Sequence, residues 1–87
     1  VVIKKIIPKY PAIAKKAGIE SKVLLSVIID EKGDVLSAEV VFVSIKDHGF
    51  EREALMAIKH IKFEPFIQNG KAVKVKVIYP IEFVLIE

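Results

Sequence analysis

Ser44, Asp47 and His48 supply, in one short stretch, the three side-chain types of a hydrolytic triad. Such a triad needs a nucleophile on an exposed elbow, a base within hydrogen-bond reach and oxyanion donors beyond it. Three residues crowded into one turn, with no nucleophile elbow, do not provide that arrangement. His48 and His60 stand at opposite ends of a helical stretch, cysteine is absent, and no carboxylate lies at ligand spacing, so no metal site is indicated. No catalytic residue, metal ligand or cofactor is assigned, and the chain reads as a binding domain and not an enzyme. The chemistry left is that of backbone pairing, and it centres on Pro80.

From Lys71 to Ile86 the sequence predicts one long amphipathic edge strand. Val73, Val75, Val77, Tyr79, Ile81 and Phe83 share one parity, while Lys74, Lys76, Ile78, Pro80 and Glu82 share the other, the period of two of a half-buried strand. Proline has no N–H to give to a ladder, so a strand that runs through Pro80 belongs at a sheet edge or carries a bulge there. If Pro80 faces outward, the backbone groups of Ile78, Lys76 and Lys74 face outward with it, where they can accept an added strand. Lys74 and Lys76 also suit the plainer role of guarding an open edge against aggregation. The two roles are compatible.

The elements that must position this strand follow from a pass along the chain. At 87 residues the protein is one domain with a modest core, and its 53% hydrophobic and 29% charged residues exclude global disorder. The net charge of +3 is spread singly or in pairs and reads as a solvated basic surface. The exposed sheet positions lack the interleaved aromatics that stack bases, so nucleic acid is not an expected partner. Lys74, Lys76, Pro80 and Glu82 interrupt the most apolar stretch, which falls short of the roughly 20 residues of a spanning helix. The chain opens on Val1 and not on methionine, so an upstream segment is expected.

Residues 1–9 read as an extended arm, with Val1 to Ile7 an arm or short strand, because Pro8 and Pro11 disfavour a helix there. Residues 10–87 form the domain proper. Pro11 starts a short helix that Gly18 ends. Val23, Leu25, Val27 and Ile29 then alternate as the core face of a strand. Asp30 to Asp34 make a turn with Gly33 at a positive φ, and the chain returns antiparallel. In the second strand Val35 falls out of phase with Ala38, Val40 and Phe42, and a β-bulge at Leu36 or Ser37 would bring all four to one face. Phe50, Ala54, Leu55, Ile58 and Ile61 have helical spacing, with Glu51, Arg52, Glu53 and Lys59 on the polar side and the two acids suited to the helix N-terminus. Phe63, Pro65 and Phe66 end that helix, and Asn69-Gly70 is a turn signal. Tyr10 has two readings, a partner contact or a staple fixing the entry to the first helix.

In this order the residues resemble the C-terminal domain of TonB-type energy transducers over nearly the whole chain. The resemblance is carried by Tyr10-Pro11, Ala14, Gly18-Ile19, Val23, Asp30 with Gly33 and Val35, Val40 and Ser44. It continues through Phe50, Ala54, Leu55, Phe63-x-Pro65, Asn69-Gly70-Lys71, Val73 and Pro80. It implies an α+β fold, with a three-stranded antiparallel sheet in the order 2-1-3 and two helices packed on one face. It also implies a periplasmic domain held by an inner-membrane anchor upstream of Val1, driven by an ExbB/ExbD-type motor. Its partners would be outer-membrane TonB-dependent transporters, whose TonB box adds as a strand. The partner-binding residues then expected are Pro8, Lys9, Tyr10, Pro11, Lys71, Ala72, Lys74, Val75, Lys76, Val77 and Ile78. Family members often carry glutamine near the Tyr-Pro pair, where this chain has Ile7, Pro8 and Lys9. The alternative is a structural periplasmic scaffold similar to the TolA C-terminal domain. On the far sheet face Leu24, Ile28 and Ile78 leave apolar area for the arm or for a second copy, which leaves a homodimer open.

Overall fold

Val23, Leu25, Val27 and Ile29 have no exposed surface at all, and their alternation places β2 (Ser21–Ile29) at the centre of the sheet. The computed structural model describes residues 2–4 and 6–86; Val1, Lys5 and Glu87, which belong to the expected arm and domain, lie outside the described residues. On either side of β2 run β3 (Val35–Val43) and β7 (Val75–Phe83), both antiparallel to it, in the order β3-β2-β7. This is the expected order of second, first and third strand, with β7 at the edge.

Both helices cover one face of this sheet. Pro11 precedes α1 (Ala12–Ala17), where its missing N–H costs nothing, and Gly18 ends it in the left-handed conformation at φ 69°. The closing bonds run from Ile19 N–H to Ala14 O and from Gly18 N–H to Lys15 O, a Schellman-like finish. In α2 (Phe50–Ile58), Phe50, Ala54, Ala57 and Ile58 are buried, and Glu51 and Glu53 occupy the first turn. Ala14, Phe50, Ala54 and Ile58 share a single core with β2 and with Ile81 and Phe83 of β7.

Two short ribbons complete the fold. The arm supplies β1 (Val2–Lys4), which pairs with β4 (Lys62–Phe63). The turn at Asn69 and Gly70, with φ of 52° and 79°, joins β5 (Phe66–Gln68) to β6 (Lys71–Val73), as positive φ at both central residues favours a tight hairpin.

Of three expectations, the first and third are corrected, and the second holds for the bulge but not for Phe42. First, the strand expected from Lys71 to Ile86 is two strands. Lys71–Val73 pairs with β5, Lys74 belongs to neither strand, and only Val75–Phe83 pairs with β2. The reason is the length of β2: Ile29 faces Val75, and the chain then turns at Asp30, so residues before Val75 have no β2 neighbour. Beyond Phe83 the chain leaves the ladder, and the N–H of Leu85 bonds instead to Glu20 Oε2 at 2.8 Å. Second, the expected bulge is present, since Ile28 pairs with Ser37 and Ile29 with Val35, leaving Leu36 unpaired. A further one follows at Val41, because Leu24 pairs with Phe42 but Leu25 with Val40. This second bulge sends Phe42 to the far face, 48% exposed, and returns Val43 to the core side. Third, the described residues of the arm do not cover the far face. Val2 and Ile6 pack on the core on the helix side, and Ile78 on the far face stays 57% exposed.

The β2–β3 turn is fixed by Asp30, whose Oδ1 accepts the N–H groups of Lys32 and Asp34 at 2.9 Å each. The bond from the Asp34 amide, ahead of burial acting the other way, holds this carboxyl below the ordinary carboxylate range. Lys62 Nζ adds a bond to Asp34 Oδ1 and another to Lys32 O, both at 2.7 Å. Gly33 sits at φ 89°, and a Cβ there would lie 1.9 Å from the carbonyl oxygen of Phe63, whose N–H bonds to Gly33 O.

Gly33→Ala combines that clash with left-handed strain and is expected to cost about 2–4 kcal/mol. Gly70→Ala, with open space around its Cβ at φ 79°, should cost about 1 kcal/mol. Urea midpoints for the two variants check the ranking, which fails if Gly33→Ala is the milder change. A second expectation concerns acid. Because the folded pKa of Asp30 is lowered, its contribution is complete above the unfolded carboxylate value near about 4 and is lost as pH falls through the folded one. Asp30→Asn should therefore show a shallower acid-side loss of thermal midpoint than the parent chain.

Candidate partner-binding edge

β7 carries two different surfaces. Val75, Val77 and Tyr79 are half-buried and Ile81 and Phe83 buried, whereas Lys76, Ile78, Pro80 and Glu82 are exposed, as is Lys74 just before the strand. One long edge of the strand is bonded to β2, in an unbroken register from Ser21↔Phe83 to Ile29↔Val75. No other described strand pairs with its opposite edge.

This open edge is bounded at both ends. At its start the β5–β6 hairpin holds Lys71 against Gln68 and Ala72 against Ile67. Towards its far end the arm passes alongside, and Ile6 and Pro8 form a cleft of about 250 Å³ with Ile61 and with Tyr79 to Glu82. The expected site residues are thus spread over the edge, the hairpin and the arm. Lys74, Val75, Lys76, Val77 and Ile78 line the open edge, Lys71 and Ala72 belong to the neighbouring hairpin, and Pro8 stands beside Pro80. Lys9 faces a hollow against α2, with Glu53, Met56 and His60. Ile6, Ile61, Tyr79 and Glu82 were not among the expected site residues, and no local motif marks them.

Tyr10 and Pro11 lie at the end of the arm, and their surroundings distinguish the two readings of Tyr10. Its hydroxyl donates to Ile19 O at 2.5 Å, and its ring meets Phe50 and Phe83 edge-on at centroid distances of 5.9 and 5.8 Å. The half-buried ring joins the arm, the end of α1, the start of α2 and the end of β7, which is the work of a staple. Ser44 likewise has a structural use. Its Oγ accepts the N–H of Lys22 at 2.9 Å and lies 3.0 Å from Ser21 Oγ, fastening the start of β2 to the chain leaving β3. His48 Nδ1 donates instead to Lys46 O at 2.7 Å, so these residues do not form a relay.

A family profile described as the Gram-negative bacterial TonB protein C-terminal matches residues 7–85. The chain belongs to this family. Protein TonB of Vibrio cholerae serotype O1 is 36% identical over 78 residues, covering 90% of this chain and 32% of the relative. Protein TonB of Xanthomonas campestris pv. campestris is 33% identical over 78 residues, covering 90% of this chain and 34% of the relative. The chain therefore spans about a third of the length of these curated relatives. Among solved structures, the solution NMR structure of the Pseudomonas aeruginosa TonB CTD superposes with a TM-score of 0.79 at 25% identity, covering 100% of this chain and 87% of that one. The three-stranded sheet with two helices on one face is thus the TonB C-terminal architecture.

In this TonB C-terminal domain Tyr10 ties stability to alkaline pH. Burial, and secondarily the negative charge of Glu20, raise the phenol pKa above its ordinary value. The neutral phenol is the form the fold favours, so its contribution is complete below the unfolded tyrosine pKa, near about 10, and disappears as pH rises through the folded value. Tyr10→Phe removes one hydrogen bond and should lower the melting temperature at neutral pH. The loss of melting temperature above about pH 10 should also become smaller than in the parent. An unchanged neutral-pH melting temperature would contradict the staple assignment.

Proposed function

We propose that this is the periplasmic partner-docking domain of a TonB-type energy transducer. In this reading the domain hangs from an inner-membrane anchor and captures the TonB box of an outer-membrane transporter by strand addition on β7. Energy from the proton gradient, delivered through an ExbB/ExbD-type motor, is passed to the transporter along that connection. The family membership supports the reading, and the observation that carries it is the open edge of β7.

The phase of that edge follows from Pro80. Its ladder neighbour is Leu24, and a hydrogen-bonded antiparallel pair needs an N–H from each member. Pro80 therefore suits a position where both residues turn their backbone groups away from each other. Because the register is unbroken, Ile78 and Lys76 share that phase and present N–H and C=O outward, while Pro80 presents a carbonyl alone. An added strand would gain several net contributions of about 0.5–1.5 kcal/mol each, offset by its ordering cost. That gives moderate, reversible affinity, suited to a connection made and broken repeatedly. The ammonium groups of Lys74 and Lys76 favour partner segments that carry carboxylates, acting mainly on association rate and salt dependence.

Titration of the isotopically labelled domain with TonB-box peptides should shift the amides of Lys76, Val77 and Ile78. Shifts confined to positions remote from β7 would count against strand addition. The phase can be tested by proline placement. Ile78→Pro removes an outward N–H, should leave the fold intact, and should weaken peptide binding by about 2- to 10-fold. Val77→Pro strikes the face that pairs with Val27 and should unfold the domain or nearly so. The opposite pattern, with Val77→Pro folded and Ile78→Pro unfolded, would reverse the assigned phase.

A further inference from the structure

The described residues of the arm have few ladder partners and few buried side chains. Its strand β1 meets only the two residues of β4, as Val2↔Phe63 and Lys4↔Lys62, with an irregularity between the two pairs. Among its described residues Val2 and Ile6 pack on the core, whereas Ile3 is 61% and Ile7 86% exposed. Hollows flank it on both sides. One of about 250 Å³ separates Ile6 and Pro8 from Tyr79 to Glu82, and one of about 210 Å³ separates Ile6 to Lys9 from α2. A segment with gaps on both sides forfeits dispersion contacts, and segments with few buried contacts open first. The looseness ends abruptly at Tyr10 and Pro11, where the hydroxyl bond to Ile19, the two aromatic contacts and the burial of Pro11 begin.

We infer that the segment from Val2 to Lys9 is a releasable strap that sets the length of the docking edge. This rests on the docking role assigned above to β7. Glu82 shares the outward phase of Pro80, so the edge would continue to Glu82 if nothing stood beside it. With the strap in place, Ile6 and Pro8 flank the Tyr79–Glu82 portion, and an added strand has room only as far as Ile78. When the strap leaves, the N–H and C=O of Glu82 and the apolar surface of Tyr79 and Ile61 become available to the partner. Tension arriving from the N-terminal side is borne first by the two-pair ribbon, and detachment stops at the Tyr10 staple, so the core stays folded. Pulling would then lengthen the edge and tighten the grip on the segment being pulled.

The chain contains no cysteine, so a Lys4→Cys, Lys62→Cys double variant offers one disulfide between ladder neighbours and allows the strap to be locked or freed in the same molecule. Two measurements are made on the oxidised and reduced forms: amide hydrogen exchange, and binding of a TonB-box peptide. In the reduced form the strap amide at residue 4 and the amide of Ile3 should exchange at least about 100-fold faster than those of Leu25 and Val27. Oxidation should slow them, and the reduced form should bind the peptide at least about three-fold more tightly. If the strap amides exchange only together with Leu25 and Val27, the strap does not open separately and the inference falls. If they open separately but both forms bind the peptide equally, control of the edge is refuted while docking on β7 stands. If neither form binds although the strap opens, docking on β7 fails, and the inference resting on it fails too.

Discussion

The constraint on which the rest of the structure depends is the complete burial of one face of a nine-residue strand that is paired along both edges. Val23, Leu25, Val27 and Ile29 cannot be moved to the other face without exposing the whole core, so both neighbouring strands must fit the register β2 dictates. On one side β3 does so by expelling Leu36 and Val41. On the other, β7 matches residue for residue and ends where β2 ends. The break at Lys74 and the departure of Val84 are therefore set by the ends of β2 and not by any preference of the residues concerned.

Those relationships explain what the sequence made legible. Strict alternation in β2 and β7 can be read because only one parity is apolar, and Gly33 and Asn69-Gly70 can be read because turn geometry is a local property. The bulge at Leu36 was visible as a phase slip against Val35. The bulge at Val41 was not, because Val40, Val41, Phe42 and Val43 are all apolar and either phase fits such a run. β4 and β5 were hidden for a different reason. Ladders of two or three residues are stabilised by what they pack against, so a propensity scan has nothing to detect.

The candidate site divides in the same way. The edge of β7 was legible from a single proline, because a missing N–H is a chemical fact independent of tertiary context. Its limits were not, since they depend on where the β5–β6 hairpin and the arm come to rest. Ile6 and Ile61 line the cleft because the chain returns there from distant points. Tyr10 was ambiguous for a related reason: its role depends on Ile19, Phe50 and Phe83, residues that only the folded chain brings around it.

Pro80 has one more consequence, which concerns how the molecule avoids itself. An open edge that welcomes a foreign strand is in principle equally open to the same edge of an identical molecule. Antiparallel self-pairing about a two-fold axis at Ile78 would set each Pro80 opposite Lys76 of the second copy, and both of those pairs would lack a donor. Shifting the axis to Val77 recovers no donor for Pro80, because it places Pro80 opposite Lys74 and brings the lysines of both copies into one narrow strip. A single imino acid, counted twice when the edge pairs with itself, thus makes the edge a poorer template for copies of its own sequence than for a segment of different composition.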